Sequence, residues 1–284
     1  MARPKPDFKR MILGLPHSRQ DYGAVDATAK LADLLGVDLV GTYFEDLSML
    51  GLAELPSARE FRLGGWQRLD ADQLAADFAR AAEQAERLFA EVAGRRQRAA
   101  SFRTGNGSAA DAISSEASAD DIIVIIEPKS PIERATRQFG ELVEAAFRSS
   151  SSILLVPSLA MSASGPVIVV PAGPEDPCLD AALAVASAAG ERMIVVPSLQ
   201  SESSLSSIVE TARLAGIATT VAPPAPDGGD DYLPAFIKGR LLIKRRPAAE
   251  ERRPPSPPHP HMPVLLVSPR DPETNNAGNS KVAR

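Results

Sequence analysis

Residues 121–134, DIIVIIEPKSPIER, decide the fold class of this chain. Ile122–Ile126 is an apolar, β-branched run, as expected for a central parallel strand that is covered on both faces. Ser130 and Glu133 follow with the spacing of a capping box, and Pro131 takes the first helical position, where a missing N–H costs little. The stretch therefore predicts a buried parallel strand that leads directly into a helix.

The same alternation of strands and helices continues on both sides of this unit. Short apolar runs predict strands, and apolar residues that recur every three or four positions predict helices. We predict strands over 11–15, 37–44, 99–104 and 153–156, and helices over 24–35, 70–92, 109–117 and 132–146, with an irregular stretch over 45–65. The order βαβαβαβαβ is typical of a parallel sheet with right-handed crossovers and helices on both faces.

The second half of the chain repeats this pattern in reduced form. We predict strands over 167–170, 193–196, 217–221, 240–244 and 264–267, with helices starting near Asp176 and Leu205 and a short one over 233–237. Residues 247–263 contain seven prolines and cannot form a helix. We therefore predict a complete domain over 1–160, a reduced domain over 161–270 that lacks the last helix, and a disordered tail over 271–284.

Composition bounds the class of protein. The 284 residues suggest two domains, and the net charge of −5 gives no electrostatic reason to expect nucleic-acid binding. The single cysteine, Cys178, excludes an intrachain disulfide. No apolar run reaches the roughly 18 residues of a membrane span, and residues 1–10 lack the apolar core of a signal peptide. We expect a cytoplasmic protein that binds neither nucleic acid nor membrane.

The order of elements, with a Leu-Leu-Val-Pro or Leu-Leu-Val-Ser strand ending each half, resembles a tandem universal stress protein. The resemblance covers residues 8–158 and, more weakly, 164–269. It implies an α/β fold of two Rossmann-like domains, similar to the adenine nucleotide α-hydrolases, each with a mostly parallel five-stranded sheet flanked by helices. It also implies dimers, or tandem pseudo-dimers that pair through their last strands.

Some members of this family bind ATP, and the first part of their binding motif is eroded here. The ATP-binding members have an Asp at the end of the first strand, in the sequence Asp-Gly-Ser. Pro16, His17 and Ser18 stand at those positions. The resemblance therefore implies a nucleotide site that lacks its first carboxylate.

The phosphate loop of the family, Gly-x2-Gly-x9-Gly-Ser/Thr after the fourth strand, is eroded as well. If Gly140 is its last glycine, Glu127 and Ser130 take the first two glycine positions and Glu141 takes that of the Ser/Thr. A phosphate needs free backbone N–H groups, but Ser130 would use one of them and Glu127 would repel the anion. Lys129 is the one attractive feature. We therefore favour a plain capped helix start and the loss of the ATP site.

A retained nucleotide site is the alternative. Its residues would be Leu15, Pro16, His17, Ser18, Gly105, Gly107, Lys129, Ser130 and Gly140. The turn Gly105-Asn106-Gly107 resembles the short glycine turn of the family and could form an anion-binding nest, but we favour a plain turn that needs positive φ. No second His or Cys lies near His17 in the sequence, so we expect no metal there and no resident cofactor.

Two features of the second half have a functional and a plain interpretation. Residues 244–246, Lys-Arg-Arg, with Arg252 and Arg253, form a basic cluster at the place of a phosphate loop. The cluster could hold an anion or an acidic partner, or it could be a solvated loop. Cys178 stands near a helix N-terminus, where the macrodipole could lower the pKa of its thiol; a small core residue is the plain interpretation.

The stretch 47–63 is too apolar for a solvated loop. Its large hydrophobic residues are Leu47, Met49, Leu50, Leu52, Leu55, Phe61 and Leu63. They could cover the carboxyl edge of the sheet and fill the nucleotide crevice. They could instead form a surface for a homodimer or another protein partner. The sequence leaves both interpretations open.

The function that we expect is non-catalytic. The chain has no Gly-x-Ser-x-Gly elbow and three histidines, two of which lie in the proline-rich stretch, so no nucleophile–base set is apparent. We expect a stress-response or regulatory protein that acts through a protein partner or self-association, without ATP. An ATP-binding stress sensor is the alternative.

Overall fold

The computed structural model describes residues 8–15, 22–45, 47–62, 64–96, 98–107, 109–128, 130–157, 164–198, 201–223, 238–247 and 262–269. The strands are β1 Arg10–Leu15, β2 Asp38–Glu45, β3 Arg59–Arg62, β4 Gly65–Arg68, β5 Ala100–Asn106, β6 Asp121–Ile126, β7 Ser152–Val156, β8 Val167–Val170, β9 Met193–Val195, β10 Thr219–Val221, β11 Leu241–Arg245 and β12 Val264–Val267. The helices are α1 Tyr22–Leu35, α2 Leu47–Ala53, α3 Ala71–Ala93, α4 Ala109–Glu116, α5 Pro131–Arg134, α6 Arg137–Arg148, α7 Pro177–Ala189 and α8 Leu205–Leu214.

Ten of these strands form one sheet, in the order β10-β9-β8-β11-β12-β7-β6-β1-β2-β5. The five strands of the first half are all parallel to their neighbours, and so are the five of the second half. Each half has its first strand in the middle and its last strand at the centre of the whole sheet. The α/β prediction is confirmed, as a large, mainly parallel sheet flanked by helices. The division into two domains stays a prediction.

Both faces of the sheet are covered, as the apolar run in β6 predicts. Ile122 and Val124 belong to the core on the side of α1, α3, α7 and α8. Ile123 and Ile125 belong to the core on the opposite side, with α4 and α6. Burial of both sets explains why this strand has no polar alternation.

The two halves of the sheet meet at an antiparallel pair, β7 with β12. Leu154 lies opposite Leu265 in this pair. Beyond the strand ends, the Ser268 N–H donates to Ser152 Oγ at 3.0 Å. Arg246, which follows β11, donates to the carbonyl oxygens of Phe147 and Ser151, and the Ser151 bond is 2.6 Å long. The last strands and their flanking residues therefore join the first half to the second.

We expected the stretch 45–65 to be irregular, but it contains regular structure. It contains α2 and the first strand of a separate antiparallel hairpin, β3–β4. Gly64 adopts a φ of +110°, which a residue with a side chain rarely adopts and which the tight turn needs. The strands of this hairpin have four residues each, too few for their alternation to stand out in the sequence.

The predicted helix over 132–146 is two helices, α5 and α6. Thr136 starts the second one, because its side chain accepts a hydrogen bond from the Phe139 N–H at 3.3 Å. Ile132 lies before the break and is 81% exposed, so it does not share the buried stripe to which we assigned it. A residue that caps a new helix has overridden the apolar spacing.

Several predictions fall outside the described residues. They are the short helix over 233–237, most of the proline-rich stretch 247–263 and the tail 271–284. Within the described part, no helix has the length and apolar character needed to cross a membrane.

Candidate functional site

The strand order reverses beside β1 and β6, and ligands of open α/β sheets bind at the carboxyl ends of strands at such a point. Leu15 ends β1 and is buried. Pro16, His17, Ser18 and Lys129 lie outside the described residues. Besides Leu15, the described candidate residues at this place, the first crevice, are those that follow β6.

Glu127 follows β6 at this crevice and is half-buried. Its N–H donates to the Val156 carbonyl at 2.8 Å, so this amide is not free for a phosphate. Burial raises the pKa of the Glu127 carboxyl, although the charge of Arg134 acts in the opposite direction. A carboxylate at this place repels an anionic ligand.

The helix starts next to Glu127 also use their amides internally. The Ile132 N–H donates to Ser130 Oγ at 3.2 Å, and Pro131 has no N–H. The predicted cap at Ser130 is confirmed, although the donor is Ile132 rather than Glu133. α5 has four residues, and α6 is capped in the same way by Thr136. These helix starts offer few free donors.

Two of the three candidate glycines lie in regular structure rather than in a phosphate loop. Gly140 belongs to α6, and its N–H donates to the Thr136 carbonyl at 3.1 Å. Gly105 belongs to β5 and pairs with Phe44, whose ring would be 3.3 Å from a Cβ at this glycine. We correct the assignment of both residues to loops. Gly107 alone has positive φ, +107°, and Asp111 lies beside it.

The second half has the corresponding crevice, beside β8 and β11, and there the structure shows an open cleft. Its volume is about 920 Å³, including the solvent at its mouth. The loop 172–177, Arg245 and residues 267–269 line it. Asp176 caps α7 in this wall, because its carboxylate accepts from the Cys178 N–H at 2.9 Å; it also accepts from the Ala172 N–H of the preceding loop at 2.6 Å.

The basic cluster that the sequence predicts is divided in the structure. Arg245 is exposed at the cleft and makes no hydrogen bond or ion pair among the described residues. Arg246 instead lies against the C-terminal end of α6. Lys244 has a partner of its own, and Arg252 and Arg253 lie outside the described residues. Among the described residues of this stretch, Arg245 lines the cleft, together with Glu175 and Asp176.

Cys178 is a core residue and not a reactive thiol. Its exposed fraction is 0%. Burial raises the pKa of the thiol well above its usual range, and the negative charge of Asp176 adds to the effect. The hypothesis that the helix macrodipole lowers this pKa is wrong, because burial dominates.

The stretch 47–63 has a buried base and an exposed end. Ala53 and Ala58 form a small apolar cluster with Leu69, against Ala71 and Leu74 at the start of α3. The hairpin β3–β4 then carries Phe61 and Trp66, which are 70% and 68% exposed. Their ring centroids are 5.6 Å apart, in an edge-to-face arrangement. Leu52 and Leu55 are about half exposed. The described part of the stretch thus presents an apolar surface.

Sequence reasoning missed Trp66, because we ended the apolar stretch at residue 63. The signal that could have found it is the glycine pair at 64–65, which is typical of a turn between two short strands. Among the described residues, no group of three or more His, Cys, Asp or Glu side chains could hold a metal ion.

The strand order, which reverses in the same way in both halves, defines a Rossmann-like α/β protein. No family model and no curated protein matches the chain. Among solved structures, a universal stress protein from Archaeoglobus fulgidus DSM 4304 is similar, with a TM-score of 0.60 and 14% identity over 92% of this chain and 97% of that one. A protein of unknown function from Pseudomonas aeruginosa PAO1 matches with a TM-score of 0.41 and 14% identity, over 94% and 95%. The first match shows that the chain has the fold of the universal stress proteins.

Proposed function

We propose that this chain is a non-catalytic protein of the universal stress type that acts in the cytoplasm through protein contacts. In this proposal the ATP site of the first crevice is lost. The protein serves in a stress response or in regulation, and its contact surface is the hairpin β3–β4 together with the exposed side chains of Leu52 and Leu55.

The observation that carries this proposal is the exposure of Phe61 and Trp66. Aromatic rings are seldom left in water, since each contributes about 150–250 Å² of surface that gains free energy on burial. Two rings exposed by 70% and 68% approach the size of the largest apolar patch on a typical monomer. Such patches mark sites of protein association.

The first crevice supports the loss of ATP. Glu127 supplies a negative charge where phosphates would lie, and Ser130 and Thr136 accept hydrogen bonds from amides at the helix starts. Gly140, the one glycine left of the family pattern, is a helix residue. Phosphate binding would need the opposite arrangement, with free amides and close backbone approach.

An adenine-nucleotide sensor remains the second candidate, and the cleft beside β8 and β11 favours it. The open cleft and Arg245, which has no hydrogen bond or ion pair among the described residues, suit an anionic ligand. The negative charge of Glu175 disfavours an anionic ligand there. So does the carboxylate of Asp176, which already accepts a hydrogen bond from the Cys178 N–H. In the first crevice the same candidate would rely on Lys129.

Thermal unfolding with and without ATP and Mg²⁺ distinguishes the two candidates. A ligand at about 100 times its dissociation constant stabilises a protein by about 2.7 kcal/mol, which is an easily measured shift. We expect no shift for the wild-type chain. A shift that Arg245→Glu removes would assign a nucleotide to the second crevice, and a shift that Lys129→Glu removes would assign it to the first. Either result would overturn the proposal of an ATP-independent protein.

A further inference from the structure

We propose that one face of the hairpin β3–β4 docks an acidic segment of a protein partner, with carboxylates on Arg59 and Arg68 and an apolar side chain on Phe61 and Trp66. This inference rests on the proposed function, because it names the chemistry of the partner that the same surface would bind. The four residues are called the docking face below.

The register of the hairpin places the four residues on one face. Arg59 lies directly opposite Arg68, and Phe61 lies directly opposite Trp66. Residues two apart in a strand point to the same side, so the arginine pair and the ring pair are neighbouring cross-strand pairs on one face. All four side chains are exposed, so the docking face points away from the rest of the molecule.

The two arginines are the observation that specifies the charge of the partner. Neither Arg59 nor Arg68 makes a side-chain hydrogen bond or ion pair among the described residues. Like charges directly opposite each other in an antiparallel pair are destabilising, since their Cβ atoms are only about 4.5–5.5 Å apart. A carboxylate between the two guanidinium groups would relieve this repulsion and accept paired hydrogen bonds.

The distance between the arginine pair and the ring pair then determines the spacing of the groups that a partner must have. Two residues along a strand span about 6.8 Å, so a ligand needs a carboxylate and an apolar group at about that separation. An extended segment with Asp or Glu two residues from Leu or an aromatic residue meets the requirement. Such a segment would cover the rings and pair with the arginines at the same time.

A second copy of this chain fits the docking face poorly. A two-fold contact places the same patch on both sides of the interface. It would bring four unpaired arginines together and offer them no carboxylate. The arginine pair thus favours binding to a different, acidic surface over self-association through this face.

Single-stranded nucleic acid also fits poorly, although bases stack on exposed rings. Nucleic-acid affinity comes from many phosphate contacts, commonly about 6–10 in a specific complex. The docking face offers two cations that have no partner among the described residues, and the chain as a whole has a net charge of −5. An acidic protein segment needs no more than the two arginines and the ring pair.

The test uses the fluorescence of Trp66, which is the single tryptophan of the chain. The full-length protein is titrated with a short synthetic peptide that repeats Glu-Ser-Leu-Ser, in which Glu and Leu share one face when extended. We expect a saturable blue shift of the emission. The matching peptide with Lys for Glu should produce none. Arg59→Glu with Arg68→Glu should weaken binding by at least about tenfold, because two charge-assisted contacts are lost. Arg59→Lys with Arg68→Lys should retain most of it.

Three results of the titrations would overturn the proposal. They are no shift with the acidic peptide, an equal shift with both peptides, and tighter binding of oligothymidylate than of the acidic peptide. Exposed arginines can be reversed without loss of folding, and circular dichroism of each variant checks this. If cellular partners depend on Phe61 and Trp66 but not on the arginines, the acidic partner is excluded while the proposed contact function stands.

Discussion

Glu127 is the residue that most directly opposes an anion in the first crevice. Its carboxyl is half-buried, and burial raises its pKa, so ionisation is less favourable in the folded state than in the unfolded state. Stability contributed by the protonated form is therefore present at low pH and is lost as the pH rises through the raised pKa.

Replacing this carboxyl gives a prediction with a defined pH dependence. Glu127→Gln should raise the free energy of unfolding at about pH 7 by roughly 0.5 kcal/mol, a small effect because the group is partly solvated. At about pH 3 the difference should vanish, since the wild-type carboxyl is then protonated in both states. Urea unfolding at both pH values measures it. A variant that is less stable at neutral pH would show that Glu127 has a stabilising partner.

Residue identity also explains what the sequence could reveal about the site. Ser130 and Pro131 allowed the capped helix start to be predicted, because caps act locally. The placement of Gly140 and Gly105 could not be read in this way. It depends on where a helix begins and on which strand pairs with which, and both are set by tertiary contacts.

At the scale of elements, the C-terminal end of α6 is held by a cation from the other half of the chain. Arg246 donates to the carbonyl oxygens of Phe147 and Ser151 and lies 5.8 Å from the centre of the Phe147 ring. Carbonyl groups at a helix C-terminus carry partial negative charge, so a cation there is stabilising.

We expect Arg246→Ala to lower the free energy of unfolding by about 1–2 kcal/mol, the combined effect of the lost hydrogen bonds and the helix terminus. Arg245→Ala is the matched control, because the neighbouring arginine has no hydrogen bond or ion pair among the described residues. Denaturant unfolding of both variants measures the difference. Equal stability of the two would contradict the bridging role of Arg246.

The elements themselves were predictable to different degrees. The long helix α3 follows from an apolar periodicity that extends over many residues. The strands β1 and β6 follow from short runs of apolar residues. The hairpin β3–β4 was missed because its strands are short. A strand of four residues leaves no extended apolar pattern in the sequence. The break between α5 and α6 was missed because a single side chain, that of Thr136, decides it.

At the scale of the whole molecule, β12 pairs with the edge of β7 and joins the two halves of the sheet at its centre. An uncovered edge strand presents unpaired N–H and C=O groups and recruits another strand. A fragment of residues 1–160 would leave β7 with such an edge, including the apolar side chains of Ile153 and Leu155.

We therefore predict that the fragment 1–160 dimerises through β7. Light scattering after size exclusion should give twice the mass of the fragment at micromolar concentration, and circular dichroism should confirm that it is folded. This experiment also tests the predicted division of the chain into two domains. A folded, monomeric fragment would argue that β7 is protected in some other way.

We propose that this protein acts through the hairpin and not through a nucleotide crevice. The most direct test of this proposal is quantitative cross-linking and enrichment from the native cells, comparing the wild type with Phe61→Ser/Trp66→Ser. Leu214→Ser is the control, because it removes an apolar side chain that is 54% exposed elsewhere on the surface. We expect a set of proteins that are retained by the wild type and by the control and are lost from the hairpin variant. An identical set of retained proteins for all three would contradict it.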